Sequence, residues 1–214
     1  MTERESWFGG IALAALLLFP LGDGGMSESS RKFYTTLRRD YPVAIMPPGW
    51  LFGPVWFMLY LLMAVAIVLW TAEADQNSWL WLGVWITAIV NFFFNKIWSL
   101  LFFSYRLVRL AAADAVLIFL TAATVLVFLC FKNTSIDADV DSMTNLTANV
   151  SSDLSHPDDD LSTRQIVALV LWAIYTTWTL FAMILSIWIA ARVPAEALKR
   201  SHGALITPQT YAAQ

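Results

Sequence analysis

Four uninterrupted apolar stretches, roughly 50–71, 79–103, 107–131 and 165–191, constrain this chain more than any other feature. Each meets the ~20 residues that a helix rising ~1.5 Å per residue needs to cross a bilayer. Each is apolar all round rather than striped, as a lipid-facing helix should be. Only 14% of the 214 residues are charged, against about a quarter in soluble domains. Lipid is therefore the expected solvent. The fold class expected is all-α: a polytopic membrane protein forming a single membrane domain.

A fifth, weaker segment at about 7–22 contains Pro20. A cleaved leader would want a basic start, but this one reads Thr2-Glu3-Arg4-Glu5. A retained first helix is expected, giving a five-transmembrane-helix bundle. Charge tests that number. With five spans, Arg31, Lys32, Arg38, Arg39, Arg106, Arg109, Arg192, Lys199 and Arg200 share one side, while the other holds Arg4, Lys132 and Arg164. Lys and Arg concentrate on the cytoplasmic side, so the N-terminus is expected outside and the C-terminus inside.

The stretch 133–163 then faces outward. It carries seven aspartates and three N-glycosylation sequons, at Asn133, Asn145 and Asn149. Sequons are acceptors only in a secretory lumen. A solvated, largely disordered acidic loop is expected; Asp158-Asp159-Asp160 lacks the ligand spacing of a calcium loop. Four spans would place the sequons inside, so both signals favour five.

Other chemistry finds little support. Cys130 lies in an apolar run and reads as a buried small hydrophobe, and His156 and His202 are far apart in polar segments. No metal cluster, phosphate loop or nucleophilic triad can be assembled. The basic stripe with interleaved aromatics that nucleic acid requires is absent.

The eleven tryptophans need a use. One is the aromatic belt at the membrane interface, which suits Trp50. Another is a pocket wall. Pro47 and Pro48 fit a helix start, whereas Pro54 is expected inside the span, bending it. Gly53 permits close approach, and Trp56 is expected deeper, within the bundle. Asn95 and Trp98 share a helical face; an intramembrane asparagine bonds a neighbouring helix or a ligand. Trp178, Ala182 and Leu185 share a face too. Ala182, Ser186 and Ala190 form a small-residue series suited to close packing, in the bundle or in a homodimer. Lys96 and Asp114 approach the same membrane side and are expected to pair, with Arg106 or Arg109 nearby.

The run Met46-Pro47-Pro48-Gly49-Trp50-Leu51-Phe52-Gly53-Pro54-Val55-Trp56, continued by Leu59-Tyr60, resembles the translocator protein family, also called tryptophan-rich sensory proteins or peripheral benzodiazepine receptors. Asn95, Trp98, Phe102-Phe103 and Asp114 follow in register, as do Tyr175, Trp178, Phe181-Ala182 and Leu185. The chain departs from the family pattern at Leu110, Ile174, Ser186 and Ala190. The resemblance implies a receptor or carrier that binds tetrapyrroles (porphyrins) or sterols in the helix bundle and translocates them. It carries pocket positions onto Phe52, Gly53, Val55, Ala113, Leu117, Ala182 and Leu185, beside Trp50, Trp56, Asn95, Trp98 and Trp178. No obligatory cofactor is implied; a porphyrin or haem-type molecule is a ligand. Binding rather than catalysis is expected, since no general acid, base or metal site supports ordinary chemistry. The rivals are porphyrin breakdown by pocket tryptophans and a membrane scaffold. Family members occupy the mitochondrial outer membrane or the bacterial envelope, but the sequons favour a secretory-pathway or plasma membrane here.

Overall fold

The computed structural model describes residues 27–43, 45–74, 78–131 and 161–194. The expected first span and all three sequons lie outside these, as does the acidic loop except for its last residues. Among the described residues the fold is all-helical, and four helices are long and apolar enough to cross a membrane. Their spans run Gly49–Thr71, Trp79–Ser104, Val108–Cys130 and Thr163–Arg192, within two residues of the apolar runs at every end. The chain is an integral, multi-pass membrane protein.

Helix α1, Glu28–Asp40, is not a span. Ser27 caps it by accepting from the Ser30 amide, Glu28 sits in its first turn, and Arg38 and Arg39 sit in its last. Those charges complement the helix dipole. Its buried face is Ser30, Tyr34 and Leu37. Composition hides this helix, because ten of its thirteen residues are polar. The 3–4 spacing of Ser30, Phe33, Tyr34 and Leu37, starting from a serine cap, was the available signal.

A 3-10 turn, Gly49–Leu51, leads into α2, Phe52–Thr71. Pro54 therefore occupies the first α-helical turn, where amides lack partners anyway. It thus lies inside the span as expected, but at a place where a missing amide costs no hydrogen bond. Helix α3 is Trp79–Ser99, capped by Ser78 and extended by a π-helical turn, Leu100–Ser104. Arg106 follows with a positive φ of 57°, which lets the chain reverse into α4, Val108–Cys130. Helix α5, Thr163–Arg192, opens on a capping box in which Ser162 and Gln165 satisfy each other's amides.

Helix α4 packs between α3 and α5, and α5 also packs on α2. The spatial order is thus α2–α5–α4–α3, and the two outer helices face each other through long side chains. One apolar cluster joins the C-terminal half of α2 to the N-terminal halves of α3 and α5 and the C-terminal half of α4. A second gathers at the other end around Trp98, Phe102, Leu185 and Ile189, and α1 covers it with Tyr34 and Leu37. Arg192 donates to the Pro42 carbonyl (2.9 Å) and Arg106 to the Ser29 hydroxyl (2.8 Å) at this basic end. At the opposite end Glu73 accepts from Ser162 and lies 3.7 Å from Arg164, tying α2 to α5. Among the described residues only 28–33% of each span's apolar window is buried, and many large apolar side chains are exposed, surface that lipid can cover. Cys130 belongs to that surface; it is not buried, because the last turn of α4 turns Leu129 inward and Cys130 outward.

Candidate functional site

An open concavity lies along the exposed face of α1; a more enclosed one is a crevice between α2, α3 and α5, walled by Phe52 and Trp56, by Trp98 and Phe102, and by Trp178, Phe181, Ala182, Leu185, Ser186 and Ile189. Tyr34 of α1 closes its basic end. Ring geometry explains its shape. Trp98 stacks on Phe102 (5.1 Å, 14°) and meets Trp56 at 6.3 Å. Tyr34 stands edge-on to Phe52 at 5.2 Å. Its hydroxyl donates to the Pro47 carbonyl at 2.7 Å, and burial pushes this phenol's pKa up, so it stays a neutral donor. The free space is about 10 Å³, about one water. The crevice is closed by side chains and must open to take anything larger.

Its lining is apolar except for Ser186, the Tyr34 hydroxyl and the indole N–H groups. The Nε1 atoms of Trp98 and Trp178 are buried and find no acceptor among the described residues. Those of Trp70, Trp81 and Trp85 are unpaired too, so the feature gains meaning only where it coincides with a concavity. Buried donors normally have partners. Two unpaired donors in one aromatic-walled crevice suit a flat apolar molecule carrying acceptors.

Of the residues singled out from sequence, Phe52, Trp56, Trp98, Trp178, Ala182 and Leu185 come together here. Val55 packs at the edge of the first apolar cluster instead. Trp50 is 73% exposed, in the 3-10 turn. Gly53 is exposed, and a Cβ there would meet nothing within 4 Å, so no close approach depends on it. Ala113 and Leu117 also point outward, since Ala111, Asp114, Ala115 and Ile118 form the inner face of α4. Of the small-residue series, Ala182 and Ser186 line the crevice, while Ala190 packs against the apolar cluster at the basic end.

Asn95 is buried in a network beside the crevice. Its amide donates to the Tyr175 hydroxyl (2.8 Å), which donates to Asn91 Oδ1 (2.5 Å). The Asn91 amide in turn donates to the Ile118 carbonyl (2.8 Å) and Thr121 Oγ1 (2.7 Å). Trp172 adds an indole bond to the Ala122 carbonyl at 2.9 Å. These bonds tie α3, α4 and α5 together. Asn91, missed in the sequence, sits one turn before Asn95; that spacing was the signal. Lys96 does not pair with Asp114. The asparagines take the α4-facing side of α3, and Lys96, about 100° round the helix, lies over the rings of Tyr60 (4.7 Å) and Phe92 (5.0 Å).

A protein described as tryptophan-rich protein TspO, from Archaeoglobus fulgidus, is 32% identical over 94 residues, covering 44% of this chain. That stretch spans 58% of the archaeal protein. No solved structure matches. The sequence pattern of the TspO/MBR family matches residues 10–192, across all four described spans; the chain belongs to the TspO/MBR family.

Proposed function

We propose that this protein is a membrane receptor or carrier that holds a flat, largely apolar ligand, a porphyrin-type tetrapyrrole or a sterol, in the crevice between α2, α3 and α5. The observation that carries this reading is the meeting of Trp56, Trp98 and Trp178 in one concavity with two indole donors unpaired. Aromatic contacts give ~0.5–1.5 kcal/mol each beyond burial, and few polar fixers are needed. No obligatory cofactor enters this reading.

The ligand has to part the side chains. Helix α1 is the element placed to yield, since Tyr34 enters the crevice and α1 is a short helix held at the basic end. Tyr34→Ala should speed protoporphyrin IX association severalfold in stopped-flow fluorescence. Tyr34→Phe, which loses only a bond worth ~1 kcal/mol, should change it less. Equal rates in all three proteins would mean that entry does not pass α1.

The reading is tested by adding protoporphyrin IX to purified protein. Quenched tryptophan fluorescence with an intact porphyrin spectrum supports binding. Loss of the porphyrin band with a new product would favour breakdown chemistry instead. Neither change would remove the tetrapyrrole from the account.

The reading includes five spans, with segment 7–22 the first; the family match begins at residue 10, inside that segment. The basic groups of α1, Arg106 and Arg192 gather at one end, consistent with a cytoplasmic face and with Asn133, Asn145 and Asn149 outside, in a secretory-pathway or plasma membrane. Removal of N-glycans should then increase gel mobility by up to three steps. No shift, with mitochondrial co-fractionation, would overturn that placement.

A further inference from the structure

Lys96 is a cation well inside a span. It lies eight residues before Ser104, the end of its span, about 12 Å along the axis. A lysine at that depth ordinarily extends toward the nearer interface. This one does the opposite. Its ammonium lies 5.0 Å from the ring of Phe92, one turn back toward the bilayer centre, and 4.7 Å from the ring of Tyr60. Tyr60 is eleven residues into the span that starts at Gly49, about 16 Å along it and so near the middle of a ~30 Å hydrocarbon layer. Among the described residues no carboxylate lies within ion-pair distance of Lys96. Two ring faces attract the ammonium but leave it without a counter-charge. The Tyr60 ring continues at 5.6 Å to Trp56, the wall of the crevice. The cation and the apolar slot are thus joined by one ring.

We propose that Lys96 is an anion anchor that binds the carboxylate of an amphipathic ligand, whose apolar body lies along Tyr60 and Trp56 into the crevice. This rests on the ligand-binding reading above and deepens it. It selects carboxylate-bearing ligands over neutral sterols. An intramembrane charge is costly unless it meets an opposite one, and a ligand carboxylate supplies that charge where the protein does not. The carboxylate has two sources, a tetrapyrrole side chain or a fatty acid.

The test uses the full chain in phosphatidylcholine nanodiscs, with protoporphyrin IX, its dimethyl ester, and the variants Lys96→Met and Lys96→Arg. Comparing each variant's acid-to-ester ratio with the parent's cancels differences in lipid partitioning. Lys96→Met should lower acid affinity about tenfold, a loss of ~1.4 kcal/mol, and leave the ester within twofold. Lys96→Arg should keep most of the preference for the acid. Equal losses for acid and ester would show a packing role and overturn the anchor, as would no loss for either. If neither porphyrin binds the parent protein, the crevice reading for tetrapyrroles fails, and the same variants are read with cis-parinaric acid and its methyl ester. A Lys96-dependent preference for the acid then assigns the anchor to fatty acids; no preference overturns it.

Discussion

Trp56→Ala and Trp178→Ala should each weaken protoporphyrin IX binding about tenfold or more, while Trp50→Ala should leave it within twofold. Removing one indole wall forfeits ~0.5–1.5 kcal/mol of ring contact and part of the ~1.5–3 kcal/mol of burial, and ~1.4 kcal/mol is already tenfold. Trp56 and Trp178 are the appropriate choices because both are only half-buried. Trp98 is stacked and 5% exposed, so Trp98→Ala would also open a cavity costing ~3–5 kcal/mol and confuse binding with stability. Trp50 serves as the control because the 3-10 turn holds it at the surface. Equilibrium fluorescence titration in detergent or nanodiscs checks this. Equal losses at Trp50 and Trp56 would point to a general effect on insertion.

The second large effect is on stability. Asn91→Ala should cost about 2–3 kcal/mol, because it takes away the acceptor of the Tyr175 hydroxyl proton and removes both amide bonds to α4, and buried groups left unpaired cost ~1–3 kcal/mol. Tyr175→Phe should cost less, nearer the ~0.6 kcal/mol typical of single bonds between membrane helices, since Asn95 still reaches the Asn91 carbonyl at 2.8 Å. Reversible unfolding in mixed micelles would resolve the two. If they were equal, the network would not be centred on Asn91.

The spans were legible because hydrophobic length is a local property that one stretch of chain displays by itself. Helix α1 was not, because its apolar residues are few and composition hides a stripe. The site was half legible for a related reason. Spacing tells which residues share a face of one helix, but not where that face points. Ala113 and Leu117 do share a face, yet it is the outer one, since α4 turns Asp114 and Ile118 inward. Trp50 and Trp56 look alike in sequence and differ by whether the turn before α2 or its second turn carries them. Lys96 and Asp114 approach the same end of the bundle, but Asn91 and Asn95 occupy the side of α3 that faces α4. Partners across helices are fixed by packing angles that a single sequence does not display.

A structure of the full chain with protoporphyrin IX in a lipid nanodisc tests the central claim most directly. The account predicts the macrocycle between Trp56, Trp98 and Trp178, with those side chains parted and Tyr34 displaced from the basic end. A tetrapyrrole on the outer, lipid-facing surface, with the crevice still closed by the same rings, would contradict it.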